Sequence, residues 1–419
     1  MTRSINNKFP CQFYFVLFVG IMLLLVQAGR LHADDVHYKN VLVGDRAATM
    51  GGSYVAIADD ASGGYYNPAG LVYAPGNNVS GSAISRHSSE TVYQNTIENH
   101  DWIRKSDSSL PNFFGFVKKF GHVAMAFSYV VPDILIEHQD QTFTQLNNLA
   151  SPIDRYVLNV NLQDITTQTG FSWAYQAQPS FSVGLSLFRH ERDLRLQQDE
   201  FLAFSNGDVY WSHQNVEFKE RGYVPKLGIQ FSPVEPLTFG LTFSKTLITS
   251  SRYKPAVSEA VLEPARDLSQ VTYTPIPSDF DKRKTPLQTS LGIAWYPSPF
   301  MLFTMDIDYF TATDADLNAV WNLSMGTEYF LNEGHALRAG YFTNRTNQLA
   351  PDANTTSPHE YLNMEGLSFG YASYTHASSF TIGLVYSLGR GTAHVFQGSN
   401  ESRDLTRETL TIMLAASTF

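Results

Sequence analysis

The sequence lacks most of the residues and motifs from which enzyme active sites are built. Cys11 is the only cysteine among 419 residues, and it lies close to the N-terminus. A mature chain without cysteine cannot form disulfides or use thiol catalysis, so any metal site would need histidines and carboxylates. The histidines are scattered, and the HExxH spacing of a zinc site does not occur. We therefore predict no enzymatic activity, no metal site and no cofactor.

Charge is also scarce, and its balance is acidic. Charged residues make up 16% of the chain, and the formal net charge is −10. Partners that are themselves strongly acidic need a basic surface, so we exclude nucleic acid as a partner. Beyond residue 33, no apolar run is long enough for a transmembrane helix. Aromatic residues, in contrast, are abundant, with 22 Tyr and 29 Phe.

The one long apolar run lies at the N-terminus and indicates a cleavable signal peptide over residues 1–33. Arg3 and Lys8 precede an apolar stretch over residues 13–26, and Ala33 provides a small residue at the cleavage point. A transmembrane anchor is the alternative, but about 14 apolar residues are few for a membrane span. The sequence therefore predicts an exported protein.

Beyond residue 78, segments of about ten residues alternate between large apolar and small side chains. The ranges 181–187 and 237–243 are examples, in which Leu, Val or Phe alternates with Ser, Gly or Thr. Period two places the two sets on opposite faces of a strand. A soluble sandwich would carry charges on its second face, whereas here that face is Gly, Ala, Ser and Thr. The pattern favours a membrane barrel whose apolar face meets lipid.

The connections between these segments alternate in length. Short connections such as 118–122 and 232–236 alternate with long polar ones, as outer-membrane barrels alternate periplasmic turns with extracellular loops. We predict an all-β fold, a transmembrane antiparallel β-barrel of about 14 strands over residues 79–419. The long loops are predicted at 86–110, 132–163, 196–223, 249–284, 344–363 and 390–407. The strands are predicted at 79–86, 111–118, 122–131, 164–176, 180–192, 223–232, 237–248, 285–297, 300–310, 318–330, 335–344, 364–373, 379–389 and 407–419.

The chain ends support the same interpretation. An even strand number places both ends on the periplasmic side. Phe419 resembles the terminal signal that the barrel-assembly machinery recognises in its clients, which makes that machinery a predicted partner. We expect a monomer in the cell outer membrane, with the lipid of that membrane around it. Parts of two of the predicted loops, residues 156–162 and 209–218, alternate well enough to extend strands above the membrane.

The segment between the signal peptide and the barrel, residues 34–78, has neither helical nor strand periodicity. It is punctuated by Gly51-Gly52 and by Asn67-Pro68, which form turns and accept or fix unusual dihedrals. We predict that it is a compact hatch, or plug, inside the lumen. Gly51-Gly52 has no lysine and no strand–loop–helix context, so it does not indicate a phosphate loop.

This segment resembles the hatch of a known family. The stretch from Gly44 to Ser62, GDRAATMGGSYVAIADDAS, followed by NPAGL over residues 67–71, is similar to the long-chain fatty-acid transporter (FadL-like) superfamily. That superfamily includes TodX-like channels for aromatic hydrocarbons and, more distantly, PorV-like secretion proteins. The resemblance implies passive uptake of hydrophobic compounds such as long-chain fatty acids, gated by the hatch and with lateral exit through a kinked strand. The alternative is a non-transporting scaffold of a secretion or surface-attachment system.

Within the hatch, Asn67, Pro68 and Ala69 form the sharpest motif. The resemblance implies that they mark the inner hatch tip near the ligand, while a turn that leads the chain into the first strand is an equally good explanation. With Gly51 and Gly52, they are our candidate gating residues.

The barrel offers candidate ligand-binding residues. Alternation points Lys226 and Arg338 inward, where a cation could hold a carboxylate. Pairing of these cations with wall carboxylates or with the hatch is the favoured alternative, because unpaired charges in a closed lumen are costly. The loop 132–163 also carries a possible ligand-presenting helix, whose apolar residues at helical spacing are Phe143, Leu146 and Leu149.

Overall fold

The computed structural model describes residues 36–98, 100–147, 152–263, 268–275, 282–352, 359–395 and 401–418. The predicted signal peptide, residues 1–33, and the terminal Phe419 lie outside the described residues. Among the residues that are described, no helix is long and apolar enough to cross a membrane.

The wall is one antiparallel sheet that closes on itself, because the first strand pairs with both the second and the last. Its strands are β1 Asn78–Ile97, β2 His100–Phe120, β3 Val123–Leu146, β4 Ile153–Gln178, β5 Phe181–Phe204, β6 Val209–Val234, β7 Leu237–Lys245, β8 Leu247–Glu263, β9 Leu268–Pro275, β10 Leu287–Ser298, β11 Met301–Phe310, β12 Val320–Asn332, β13 His335–Asn344, β14 His359–Tyr374, β15 Ser378–His394 and β16 Arg403–Thr418.

These sixteen strands form a closed wall of fourteen. β7 and β8 both pair with β6, and the register of Lys226–Ser244 in β7 continues at Tyr223–Leu247 in β8, so they are a single wall strand interrupted at Thr246. β9 folds back onto β8 beyond the ring as an extra hairpin strand. The predicted all-β barrel of about 14 strands is therefore confirmed.

The connections at one end are as short as predicted. Two residues join β2 to β3, where Gly121 has a φ of 61°, and two or three join each of the corresponding pairs that follow. A positive φ is easily accessible to glycine because it has no Cβ.

The long loops of the prediction are largely wrong. Residues 86–110, 132–163 and 196–223 lie almost entirely in β1–β6, which are 20 to 26 residues long, and β8, β15 and β16 also run into their predicted loops. A membrane crossing needs only about 9–11 residues, so these strands project far beyond it. The polar composition of these stretches suggested loops, but their side chains still alternate with period two. The two predicted strand extensions at 156–162 and 209–218 are confirmed.

The polarity of the strands inverts along their length, as β5 shows. Near its start, Val183, Leu185 and Leu187 point outward with 37%, 44% and 46% of their surface exposed, and serines face inward. Beyond residue 188, charged residues face outward and Leu194 and Leu196 are buried inside. An apolar outer face suits lipid, and a charged outer face suits water. The inversion therefore marks the upper edge of the membrane-facing belt.

Above the belt, β3–β6 and β8 form an extension with its own apolar core. The core side chains are at most 8% exposed, so they are shielded from bulk water. They are Phe143, Leu146, Ile153, Tyr156, Leu158, Val160, Leu162, Leu194, Leu196, Leu202, Phe204, Tyr210, Val216 and Tyr253. The wall around β10–β13 lacks such an extension, since those strands are only 10 to 13 residues long.

Glu200 is a carboxyl buried within this extension. Its side chain is next to Gln198, whose Nε2 donates a hydrogen bond to the Glu200 carboxylate at 2.5 Å. Burial raises the pKa of Glu200 to about 7, although the Gln198 hydrogen bond acts in the opposite direction.

The N-terminal segment, residues 36–77, lies inside the closed wall. It contains three short helical elements, α1 Asp45–Thr49, α2 Gly63–Tyr66 and the 3₁₀ turn η1 Pro68–Tyr73. Inward hydroxyls from around the ring bond to its backbone: Ser128 to Ala61 O (3.0 Å), Ser182 to Ala69 O (2.8 Å), Ser186 to Gly64 O (2.7 Å), Thr304 to Ser53 O (3.2 Å) and Ser368 to Thr49 O (2.9 Å). Contacts on all sides place the segment in the lumen.

Small inward residues let this segment pack directly on the wall. A Cβ added to Gly240 would lie 2.1 Å from Val55 O, and one added to Gly340 would lie 2.2 Å from Gly51 N. Real Cβ atoms do not approach other heavy atoms so closely. The inward glycines therefore serve close packing of the segment, rather than space for a ligand.

Gly240→Val is expected to displace the segment from the wall, because the added side chain would overlap the Val55 carbonyl. The measurement is single-channel conductance in planar bilayers, in which the variant conducts ions more often or more strongly than the wild type. Gly81→Val is the matched control, since a Cβ there has its nearest neighbour at 3.9 Å. Equal conductance of both variants would contradict the packing role.

The extension is expected to be less stable at alkaline pH. The pKa of Glu200 in the folded chain, about 7, exceeds its ordinary value of 4.5. The preference of the folded chain for protonated Glu200 therefore stabilises it fully below pH 4.5. This contribution to the free energy of unfolding, about 3 kcal/mol, is lost as the pH rises through 7. Amide exchange in residues 196–204, corrected for intrinsic rates, should accelerate between pH 6 and pH 8. Glu200→Gln should abolish that acceleration and the exposed Glu217→Gln should preserve it; an unchanged profile in Glu200→Gln would refute the assignment.

Candidate ligand cavity and its floor

A cavity of about 720 Å³ lies in the lumen above the N-terminal segment. Much of its wall is apolar and comes from inward positions of β1, β3–β5 and β13–β16. These apolar residues are Ile84, Ile134, Leu135, Val160, Leu162, Leu194, Leu196, Phe342, Met364, Val385 and Met413. A cavity of this size and lining is suited to a small hydrophobic molecule.

Its polar side is a network of paired charges. Arg104 donates to Glu137 at 2.9 Å and lies 3.7 Å from Glu360, and Arg407 lies 3.4 Å from Glu360. Tyr93 donates to Glu360, and burial beside that carboxylate raises the pKa of the Tyr93 hydroxyl, which keeps it protonated. Both guanidiniums thus have carboxylate partners within the wall.

The floor of the cavity is a strap formed by residues 36–42. At one end, Asn344 Oδ1 accepts hydrogen bonds from the backbone amides of Tyr38 (3.3 Å) and Lys39 (3.1 Å). Asn344 Nδ2 also donates to Asn40 Oδ1 at 3.2 Å. The Lys39 ammonium reaches down to Asp308 and donates to Ser324 Oγ at 2.7 Å. One side chain at the end of β13 therefore fixes three consecutive strap residues.

The other end of the strap reaches β2 and β3. The Val41 amide donates to Pro132 O at 3.2 Å, and Asn40 Nδ2 donates to Asp133 Oδ1 at 3.1 Å. Asn112 Nδ2 donates to Leu42 O at 3.2 Å. The strap thus crosses the lumen from β13 to the β2–β3 side.

At that point, the wall itself is incomplete. β2 and β3 pair at Ser106–Glu137 and again from Phe113–Val130, but residues 107–112 and 131–136 between these pairs do not pair with each other. The register of β3 against β4 also shifts between Val130 and Asp133, next to a proline that cannot donate to a ladder. An opening in the hydrogen-bonded wall therefore lies beside the cavity.

The strap covers this opening from inside. Val41 packs in an apolar cluster with Ile84, Val131 and Ile134, all at most 7% exposed. β1 is also irregular here, between Ile84 and His87. Val41 therefore lies against the unpaired stretch of β3, next to strap residues that line the cavity.

Asn67, Pro68 and Ala69 lie apart from the cavity, whose lining does not include them. Asn67 Oδ1 caps η1 by accepting from the Ala69 amide at 3.0 Å, and its Nδ2 donates to Val55 O (2.8 Å) and Ile229 O (3.0 Å). These contacts give Asn67 the turn-forming role that was the alternative explanation. Its side chain ties the end of the segment to the wall at β6.

Gly51 and Gly52 form a left-handed turn against β13 and β14. Their φ angles are 68° and 76°, and the Gly51 amide donates to Ser368 Oγ at 2.8 Å. Ser368 lies in a Gly-x-Ser-x-Gly stretch, the spacing of a serine nucleophile elbow. However, it lies in mid-strand with its hydroxyl bonded to the segment, and not at a strand-to-helix turn.

Lys226 and Arg338 both point inward, yet neither lines the cavity. The Lys226 ammonium donates to the Tyr65 carbonyl and lies 4.8 Å from the centre of the Tyr65 ring. Arg338 donates to Glu328 at 2.8 Å, and Glu328 accepts from Arg46 of the segment at 2.6 Å. Both cations thus contact the wall or the N-terminal segment, which is the alternative to ligand binding that the sequence analysis favours.

The predicted ligand-presenting helix is wrong. Phe143 and Leu146 lie at the end of β3 and belong to the apolar core of the extension, because their spacing also fits inward positions of an irregular strand end. Leu149 lies outside the described residues.

Sequence reasoning missed the residues that shape the cavity. The strap precedes the recognisable motif and has no periodicity of its own, and Asn344 is one of many polar residues near a strand end. Pro132 within an alternating segment was an available signal for a break in β3.

No family model matches the chain, and no curated protein matches it. Solved structures do match. The P. putida toluene transporter TodX has a TM-score of 0.64 at 14% identity, covering 91% of this chain and 99% of its own. The Ralstonia pickettii toluene transporter TbuX gives 0.61 at 12% identity, covering 91% of this chain and 98% of its own. A Pseudomonas aeruginosa FadL homologue gives 0.56 at 13% identity, with the same two coverages of 91% and 98%.

These similarities extend over nearly the whole of each chain, and they agree with the resemblance of the N-terminal segment. The chain therefore has the fold of the FadL- and TodX-type barrels.

Proposed function

We propose that the chain is an outer-membrane channel for passive uptake of hydrophobic compounds, with the N-terminal segment as its hatch. The observation that carries this proposal is the cavity whose floor, the strap, also covers the opening between β2 and β3. A hydrophobic molecule gains free energy on leaving water for such a cavity. It can then pass sideways into lipid without crossing an aqueous pore.

The structural neighbours support this proposal. Two of them are described as toluene transporters and one as a FadL homologue. The paired guanidiniums of the cavity suit an uncharged hydrophobic compound better than a fatty-acid carboxylate, which would have to displace Glu137 or Glu360.

The alternative, a scaffold in a secretion or surface-attachment system, is supported by one observation. The lower lumen is packed tightly by the segment against inward glycines. The cavity above it favours the channel, because a scaffold has no need of a hydrophobic compartment.

Val385→Trp is expected to lower uptake of labelled toluene and of labelled oleic acid by at least roughly tenfold, because the indole would occupy the cavity. Uptake is measured in cells that produce the chain as their only channel of this type. Leu384→Trp is the control, since Leu384 is 41% exposed on the lipid-facing side and Val385 is 8% exposed in the cavity. No uptake of either compound by well-folded wild type would refute the channel, as would equal uptake by both variants.

Asn344→Ala is expected to loosen the strap, because it removes three hydrogen bonds with a net value of about 2 kcal/mol. A thiol reagent should then modify a Val41→Cys chain roughly thirtyfold faster. The mature chain is expected to contain no other cysteine, so labelling reports the strap alone. Asn363→Ala is the control, because Asn363 bonds to Thr346 and Tyr361 and not to the strap. Unchanged labelling in Asn344→Ala would exclude this anchor.

A further inference from the structure

One sector of the outer surface is basic, although the whole chain carries a net charge of −10. It consists of the outward side chains of residues 189–195 on β5, 217–221 on β6 and 252–254 on β8, just above the apolar belt, and we call it the basic face. Its cations outnumber its anions. The cations are Arg189, Arg195, Lys219, Arg221, Arg252 and Lys254, and the anions are Glu191, Asp193 and Glu217.

The strand register arranges these residues in rows. Asp193, Lys219 and Arg252 face one another across β5, β6 and β8 in one row. Arg195, Glu217 and Lys254 form the next.

Each of the two β5 carboxylates is shared by two cations. Glu191 accepts from Arg189 at 2.6 Å and lies 3.3 Å from Arg221. Asp193 lies 3.3 Å from Arg195 and 3.4 Å from Lys219. The protein therefore supplies fewer negative than positive charges on this face.

The pair formed by Lys219 and Arg252 is unfavourable in isolation. The two residues are directly opposite each other on neighbouring strands, and like charges in that position destabilise a sheet. A bound anion between them would remove the repulsion. Both side chains are exposed, so such an anion could approach from outside.

The basic face lies at the upper edge of the membrane belt. In the row that begins it, Arg189 is level with Tyr223 and Leu247, which are 49% and 48% exposed. Tyrosine is enriched where a barrel meets the membrane–water interface. The cations of the rows above therefore stand at the depth of lipid headgroups.

The outer face of β1 and β2 at this height is balanced. There Arg86 pairs with Asp107 at 3.0 Å and Lys105 pairs with Glu90 at 3.0 Å. The excess of cations on the β5–β8 side is thus not shared by β1 and β2.

We propose that the basic face binds the headgroups of anionic lipids, with Lys219, Arg221 and Arg252 around the negative group. Basic residues at a membrane surface attract anionic lipid, and a lipid headgroup is the anion that occurs next to an apolar belt at this depth. The binding does not depend on what the lumen carries.

The test is native mass spectrometry of the full chain released from nanodiscs of equal phosphatidylglycerol and phosphatidylcholine. The wild type should retain phosphatidylglycerol in preference to phosphatidylcholine. The triple variant Lys219→Gln, Arg221→Gln, Arg252→Gln should lose roughly tenfold of that preference, and high salt should weaken it in the wild type. The matched control removes three exposed cations elsewhere, as Arg86→Gln, Lys105→Gln, Arg390→Gln, and should keep the preference.

Three results would overturn the proposal. They are no preference in the wild type, the same preference in the triple variant, and an equal loss in the control. Polyglutamate is a second probe for an acidic protein partner. Its binding to wild type in pure phosphatidylcholine nanodiscs, without phosphatidylglycerol enrichment, would assign the face to a protein and would also overturn the proposal. Unchanged strand content by circular dichroism shows that both triple variants are folded.

Discussion

Close contact between an irregular backbone and an inward face of glycine and serine is the constraint on which the structure depends. The backbone of the N-terminal segment approaches the wall so closely that a Cβ at Gly240 or Gly340 would overlap it. Inward hydroxyls then satisfy the carbonyls that its turns leave unpaired. Because this contact fills the lower lumen, the cavity can exist only above it, with the strap as its floor.

The same wall performs two further tasks by changing which face is apolar. Near the short turns the apolar face is outward and meets lipid, while in the extension of β3–β6 and β8 it is inward and forms a core. The same two-residue alternation produces the lipid-facing belt and the core of the extension, because exchanging the apolar and the polar face leaves the period unchanged. The boundary between the two regimes also sets the height of the basic face.

Much of the fold could be predicted from the sequence, but the extents of the strands and the site could not. Alternation and short turns were enough to count 14 wall strands, since both are local properties. For residues 132–163 the sequence predicts a loop with a helix, because the outward residues are as polar as those of a loop, although β3 and β4 continue through this stretch. Lys226 and Arg338 could both be placed inward. Arg338 has its partner Glu328 directly opposite on the neighbouring strand of a hairpin, whereas Lys226 has its partner Tyr65 far away in sequence, beyond the reach of a local pattern.

The barrel and its number of wall strands follow from the sequence alone, because periodicity and turn residues act within a few positions. The position of the cavity and the residues that cover the wall opening follow only from the folded chain. Val41, Asn112, Pro132 and Asn344 come together across some 300 residues of chain, and the gap between β2 and β3 is a missing set of pairs between strands. Closure of the barrel creates both this group of contacts and the gap, and no local sequence pattern encodes them.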